Sequence, residues 1–165
     1  MKILPSERLT FRTNLSKTEI IQKISENVAL VPKQVFGLRK KDFSKVFEGT
    51  IEKDGFKISR TINYRNSFLP LIHGQIAEKN THSEVKVQMT LQPFVKIFIS
   101  FWLGAVALGL LAILIASVSE NKFEPAFAIP LLMLAGGFAL THLAFRYEYK
   151  KSRLELEKLF GAAIS

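Results

Sequence analysis

Two uncharged stretches near the C-terminus decide how this chain is organised: IFISFWLGAVALGLLAILIASVS, residues 97–119, and PAFAIPLLMLAGGFALTHLAF, residues 125–145. As α-helices they reach about 34 and 31 Å, enough to cross a hydrocarbon layer of about 30 Å. Backbone polar groups in lipid need partners within their own segment. The stretches therefore predict a transmembrane hairpin, with helices over 94–119 and 125–145 and an extracytoplasmic turn at 120–124.

Positive charge is concentrated outside these stretches. Residues 1–96 carry 17 Lys and Arg against 9 Asp and Glu, residues 120–124 have a net charge of −1, and the tail over 146–165 has +2, which together give the formal net charge of +9. Basic flanks are retained on the cytoplasmic side of a membrane, so both termini are expected in the cytoplasm and the protein in the inner membrane as a multi-pass chain. The bilayer and its anionic lipids are then the expected partners, and nucleic acid is not.

The residue types that catalysis requires do not occur in recognisable patterns. The chain has no cysteine, which excludes disulfides, thiolate chemistry and Cys-type metal sites. It has no Gly-rich phosphate loop, G-x-S-x-G or HExxH motif, and His73 and His82 have no carboxylate cluster beside them in sequence. The beginning MKILPSER lacks the apolar core of a signal peptide. We expect no enzyme activity, no cofactor and no metal.

Residues 1–93 are expected to form a cytosolic α+β domain. Alternating apolar residues over 8–15 predict a half-buried strand. Ser16 and Glu19 then fit a capping box, and the apolar stripe that begins at Ile20 predicts an amphipathic helix over 17–30 that stops near Pro32.

The chain from Lys45 to Gln92 predicts a four-stranded antiparallel meander with one buried face, on which this helix packs. Two strands flank the dipeptide Asp54–Gly55, which favours a type I′ turn and would place Gly49 opposite Arg60. A third strand is expected at about 68–77. The fourth, over 83–92, alternates cleanly between apolar and polar residues.

Arg60 breaks the apolar pattern of its strand face, which it shares with Tyr64. Gly49 across the strand pair and Gly74 on the next strand would leave open space beneath the guanidinium. These four residues predict a pocket for the carboxylate or phosphate of an amphipathic ligand. In the alternative interpretation Arg60 reaches the sheet edge or pairs with Glu19 or Glu26 of the helix.

Residues 33–45 mix basic and aromatic side chains. A membrane-contact interpretation assigns Arg39, Lys40, Lys41, Phe36 and Phe43 to anionic headgroups. The alternative is a surface loop whose apolar side chains fold under the domain.

Small residues recur along both apolar stretches at helical spacing. They are expected to pack against each other or against a second copy of the chain, because close backbone approach holds helices together in lipid. The residues are Ala105, Gly109, Ala112 and Ala116 on the first helix, and Ala135 and Ala139 on the second. His142 continues the second stripe, as a proton sensor, a ligand contact or a neutral hydrogen-bonded imidazole.

No helix stop follows Phe145, so the second helix is expected to continue into the cytosol over 146–160. Its apolar stripe, expected to bury against the domain of its own chain or against a neighbour, consists of Tyr149, Leu156, Leu159, Phe160 and Ala163.

The turn YRNSFLP, residues 64–70, and the approach L-x-P-F-V, residues 91–95, resemble a group of small bacterial membrane proteins of unassigned function. Those proteins have a β-rich cytosolic domain followed by a transmembrane helical hairpin. The resemblance covers about residues 47–102 and implies the topology, but no activity, substrate or catalytic residue. In element order alone the chain is also similar to helix-grip lipid-binding domains, although it has fewer strands and helices.

Three classes of function follow. The first is a non-catalytic inner-membrane accessory protein whose cytosolic domain binds a partner protein or regulates a membrane complex. The second is a module that binds lipid or an anionic amphipathic ligand, and the third is an oligomeric pore-type membrane protein assembled through the small-residue faces.

Overall fold

A computed structural model describes residues 4–31, 42–79, 82–120 and 125–161. Six strands form one sheet, accompanied by three α-helices, so the predicted α+β class is confirmed for this part of the chain. The elements are β1 (Ser6–Thr13), α1 (Lys17–Asn27), β2 (Val28–Leu30), β3 (Phe47–Glu52), β4 (Gly55–Arg60), β5 (Leu71–Glu78), β6 (Ser83–Thr90), α2 (Pro93–Ser119) and α3 (Ala128–Phe160), with a 3₁₀ turn at Pro125–Phe127.

The sheet is mixed and has the strand order β1-β6-β5-β4-β3-β2. Within the described ranges, four of the five strand pairs are antiparallel, and β2 with β3 is the parallel pair. The predicted sheet of four strands is therefore too small. The first strand of the chain pairs with β6 over its whole length, from Ser6 opposite Thr90 to Thr13 opposite Ser83.

The sixth strand, β2, occupies residues that the sequence assigned to the first helix. That helix ends at Asn27, and Val28 adopts an extended conformation with φ −109° and ψ 124°. Val28 pairs with Phe47, and the Val31 N–H donates to the Gly49 carbonyl at 2.8 Å. Val28 follows Ile24 by four residues and so fits a helical stripe, but a β-branched residue equally favours a strand. The spacing alone could not distinguish the two.

The register predicted for the β3–β4 hairpin is wrong by two residues. Glu52 pairs with Gly55, so Lys53 and Asp54 form the loop. Gly55 belongs to the strand because β5 approaches it closely: a Cβ on Gly55 would lie 2.2 Å from the Gly74 carbonyl oxygen. A shift by two residues leaves every side chain on its expected face.

The core lies between one face of the sheet, here called the inner face, and two helices, α1 and the second half of α3. Its fully buried members alternate along the strands, as predicted, and recur every four residues on the helices. They include Phe11, Ile20, Ile24, Ile58, Ile72, Val85, Met89, Leu91 and Leu156. The predicted capping box is confirmed, because the Ser16 N–H donates to Glu19 Oε2 at 2.7 Å and the Glu19 N–H donates to Ser16 Oγ at 3.3 Å.

The helix α3 runs without interruption through Arg146 to Phe160, which confirms the predicted continuation. Its final turns pack on the sheet of the same chain. Leu156 and Phe160 are buried, the Phe160 ring lies 5.5 Å from the Phe11 ring, and the Phe160 carbonyl accepts a hydrogen bond from Thr13 Oγ1 at 3.3 Å. Tyr149 and Leu159 are partly buried against the same core. The fifth residue of the predicted stripe, Ala163, lies outside the described residues.

Candidate functional site: a buried carboxylate between α3 and the sheet

The Glu148 side chain projects from α3 onto the inner face of the sheet and is only 2% exposed. Arg60 Nη2 donates to its Oε2, so the two form an ion pair. Tyr64 Oη and Asn66 Nδ2 both donate to its Oε1, each at 3.0 Å. We refer to Glu148, Arg60, Tyr64 and Asn66 as the Glu148 cluster.

Two of the three donors, Arg60 and Asn66, are positioned by their place in the chain. Arg60 is the last residue of β4 and lies on the same face as Phe56 and Ile58, so the strand directs it toward the core. Asn66 Oδ1 accepts a hydrogen bond from the Phe68 N–H at 2.9 Å. This contact, an Asx-turn, fixes the amide and leaves its NH₂ group to meet Glu148. The polar turn after β4 is thus folded around the carboxylate.

The cluster is suited to holding two parts of the chain together. Glu148 accepts three hydrogen bonds from groups 82 to 88 residues away in sequence. Charge-assisted hydrogen bonds are stronger than neutral ones, and removing either partner of a buried ion pair leaves the other charge without compensation. In the described residues no group of three or more His, Asp or Glu side chains could hold a metal ion.

The structure brings two of the four predicted pocket residues together and separates the other two. Arg60 and Tyr64 meet at Glu148. Gly49 instead lies opposite Ile58. The space above Gly74 is filled by the Phe56 ring, whose Cζ would lie 2.0 Å from an added Cβ. The partner of Arg60 is a carboxylate, as in the alternative interpretation, but it comes from α3 and not from the first helix.

Glu148 and Asn66 were missed as site residues. Glu148, Ser152, Leu156 and Phe160 recur every four residues and all are buried, so they form one stripe along α3. A carboxylate in line with two buried apolar residues is the signal that could have identified the site, because such a group needs a partner in the core. Asn66 carried a weaker signal, its position in a turn rich in hydrogen-bonding groups.

Of the five residues assigned to membrane contact, the structure describes only Phe43. Its side chain is 62% exposed. Phe36, Arg39, Lys40 and Lys41 lie outside the described residues.

The two apolar helices contact each other where Trp102 of α2 meets Gly137 of α3. A Cβ on Gly137 of α3 would lie 2.4 Å from the Trp102 ring of α2, so the bulky indole fits against a glycine. The predicted packing residues are all exposed on the surfaces of their helices: Ala105, Gly109, Ala112, Ala116, Ala135 and Ala139. Their packing against a second copy of the chain stays a prediction. His142 Nδ1 lies 3.0 Å from the Phe138 carbonyl of its own helix.

A second ionic group lies at the opposite end of the sheet, around Glu84 of β6. Lys79 Nζ donates to Glu84 Oε1 at 2.8 Å, and Arg12 Nε and His82 Nε2 lie 3.7 and 3.6 Å from the same oxygen. The Lys79 hydrogen bond is the main reason that the pKa of the Glu84 carboxyl is lowered. This group connects β1, β6 and the β5–β6 turn at the surface.

Comparison with known proteins does not assign a function to the Glu148 cluster. No protein-family model, no curated protein and no solved structure matches this chain.

Proposed function

We propose that this chain is a non-catalytic accessory protein of the inner membrane. In this proposal α2 and α3 anchor it as a hairpin, and its sheet domain lies at the cytoplasmic surface, where it binds a partner protein or regulates a membrane complex. The observation that carries the proposal is α3 itself, one helix whose first half is apolar and exposed and whose second half completes the core of the sheet domain.

The exposure of the apolar helices supports membrane insertion. Pro93–Ser119 and Pro125–Phe160 contain windows of mean hydropathy 2.5 and 1.8, and only 6% of each window is buried. A core helix of a soluble protein would bury such residues, since their transfer out of water drives folding. Here Val118 is 81% exposed and Leu140 61%. A bilayer would cover both surfaces.

The charge distribution supports the orientation. The domain that precedes α2 and the tail that follows the apolar part of α3 are both basic, whereas residues 120–124 have a net charge of −1. Lys and Arg near the ends of spans are retained in the cytoplasm. Because both ends of the hairpin that adjoin the sheet domain are basic, the sheet side of the hairpin is expected to be the cytoplasmic side.

The Glu148 cluster supports an accessory role in which the position of the domain matters. A domain on a flexible linker would reorient freely relative to its anchor. Here the anchor helix enters the core and is held by a buried ion pair, so a tilt or rotation of the hairpin must move the sheet with it. A partner bound to the sheet would respond to the state of the hairpin.

Cysteine labelling tests the topology, because the chain has no native cysteine. Ser25 is exposed on α1, and Ser119 is exposed at the end of α2. In intact spheroplasts a membrane-impermeant maleimide should label Ser119→Cys, and it should label Ser25→Cys only after lysis. Equal labelling of both before lysis, or a chain that stays in solution without detergent, would refute the proposal.

A second candidate, binding of an anionic amphipathic ligand, is favoured by one observation. Arg60 Nε and Thr61 Oγ1 are buried polar atoms without a hydrogen-bond partner in the described structure. Both residues line an open depression of about 290 Å³, together with Phe43, Lys45 and Glu155. Native mass spectrometry of the purified protein would show a bound anion that is lost in Thr61→Val, which keeps the Arg60–Glu148 pair. Absence of a bound anion from the wild-type spectrum would exclude this function, and an anion that stays bound in Thr61→Val would exclude this site.

A further inference from the structure

The face of the sheet that faces away from α1 and α3, here called the outer face, has a row of three basic side chains and one glutamine near the beginning of α2. Arg8 lies opposite Gln88, Gln88 opposite His73, and His73 opposite Lys57. All four side chains are exposed. We propose that this row, the Arg8–Lys57 row, binds the phosphate groups of anionic phospholipids in the adjacent leaflet. The inference rests on the proposed function, since it requires the hairpin to be in the membrane.

The sheet extends away from the bilayer along its strand axes, and the row lies toward its membrane-proximal end. The α3 helix contacts the last residue of β4 through Glu148 and the last residue of β1 through Phe160. Phe160, which contacts Thr13, follows Glu148, which contacts Arg60, by 12 residues, or about 18 Å of helix. The Thr13 end of β1 is therefore farther from the apolar half of α3 than the Arg60 end of β4. Two residues, Leu91 and Gln92, connect the Thr90 end of β6 to the first residue of α2. Gln88 lies two residues before Thr90, which is about 7 Å along the strand.

Lys96 lies in the first turn of α2, immediately before the uncharged stretch begins. The pKa of His73 is lowered below its ordinary 6.5, first by partial burial and then by the positive charges of Lys57 and Lys96. Lys96 is therefore close enough to the row to act on His73. In the described part of the chain, Glu52 opposes this effect, and its influence on the pKa of His73 is the weakest of the four.

On the outer face, basic charge is highest in the Arg8–Lys57 row and lower in the two rows farther from α2, while the row at Thr90, nearer to α2, has no basic residue. The next row consists of Thr10, Lys86, Gln75 and Gly55, with a single basic residue. The row beyond it contains Arg12, but Arg12 faces Glu84. An acidic protein partner could dock anywhere on this face, whereas lipid headgroups reach only the proximal rows. Because the headgroup region adds only about 5–7 Å on each side of the hydrocarbon core, basic charge that is concentrated toward the α2 end of the sheet favours lipid.

The test uses the full chain in nanodiscs of zwitterionic phosphatidylcholine, with Gln88→Cys labelled by an environment-sensitive fluorophore. A small fraction of lipid carries a doxyl quencher near the headgroup, attached either to phosphatidylglycerol or to phosphatidylcholine. We expect several-fold stronger quenching by the phosphatidylglycerol quencher at low salt. Each basic residue near an anionic surface can raise the preference by at most about fivefold. The preference should decline at high salt because exposed charges are screened.

The matched variants are Arg8→Gln with Lys57→Gln, which removes two charges from the row, and Lys86→Gln, which removes one charge farther from the bilayer. The double variant should lose most of the preference, and Lys86→Gln should keep it. Equal quenching by both lipids in labelled Gln88→Cys that keeps Arg8 and Lys57 would overturn the inference while leaving the membrane topology intact. An equal loss in Lys86→Gln would also overturn it, because the effect would then be one of general charge. Failure of the chain to enter nanodiscs would instead overturn the proposed function.

Discussion

Removing the Glu148 carboxylate should destabilise the protein more than any loss of a surface ion pair. Glu148→Ala leaves the Arg60 guanidinium, which is 16% exposed, without its counter-ion and also removes the acceptor for Tyr64 and Asn66. Breaking a buried ion pair from one side costs about 3–5 kcal/mol. Hydrogen bonds to charged groups contribute about 1.5–3 kcal/mol each, but their contributions are not additive when the donors share one carboxylate.

The natural control is Glu155→Ala, on the same helix two turns later. Glu155 pairs with Lys158 at 3.0 Å, and Lys158 is 71% exposed. A surface pair of this kind contributes about 0–1 kcal/mol. Comparing the two variants thus separates burial of the carboxylate from the loss of one acidic residue on α3.

The measurement is native-state hydrogen exchange of the sheet amides in mild detergent, with urea-induced unfolding followed by circular dichroism. A loss of 3–5 kcal/mol corresponds to exchange about a hundredfold to several thousandfold faster in the most protected strands. The double variant Arg60→Met with Glu148→Leu should be far less destabilised than the two single variants combined, since both charges are gone. A free energy of unfolding for Glu148→Ala within about 1 kcal/mol of the wild-type value would contradict this prediction. A double variant destabilised by the full sum of the two single variants would contradict it as well.

Two further predictions concern the sheet. Gly74→Ala should destabilise the protein by about 1–3 kcal/mol, because its Cβ would meet the buried Phe56 ring. The control is Gly109→Ala on α2, where no atom lies within 4 Å of the added Cβ, so the melting temperature of the sheet domain should be unchanged or raised. The hydrogen bond from Lys79 lowers the pKa of Glu84 from its unfolded-state value of 4.5. Glu84 therefore contributes to stability above pH 4.5, and this contribution is lost as the pH falls toward the folded-state pKa. Glu84→Gln should therefore flatten the acid side of the stability profile measured by urea unfolding, and an unchanged acid slope would contradict this assignment.

Local patterns predicted most of the strands and helices because local physics forms them. The alternation Val85, Val87, Met89 on β6 is buried as a strand of period two requires, and the capping box at Ser16 begins α1 at the expected residue. The continuation of α3 past Phe145 followed from the absence of any stop signal.

The errors occurred where a distant part of the chain decides the outcome. The register of the β3–β4 hairpin depends on the close approach of Gly74 to Gly55, which no property of the Asp54–Gly55 dipeptide reveals. The strand β2 forms because β3 offers it a pairing edge. The Arg60 site could be located on the correct face, but its partner is 88 residues away in sequence, and only the fold brings the two together.

The chemistry of the Glu148 cluster explains how α3 is held at one position along the sheet. Leu156 and Phe160 are spaced four residues apart, so a slip of α3 by one turn, about 5.4 Å, would still place apolar residues over much of the core. Such a slip would move Glu148 away from Arg60 and bring Ala144 or Ser152 into its place, leaving a buried guanidinium unpaired. The buried Leu156 and Phe160 restrain this displacement, and the ion pair restrains it further because a slip leaves a charge unpaired. If α3 spans the membrane, the Glu148 carboxylate therefore helps to set the height of the sheet above the bilayer.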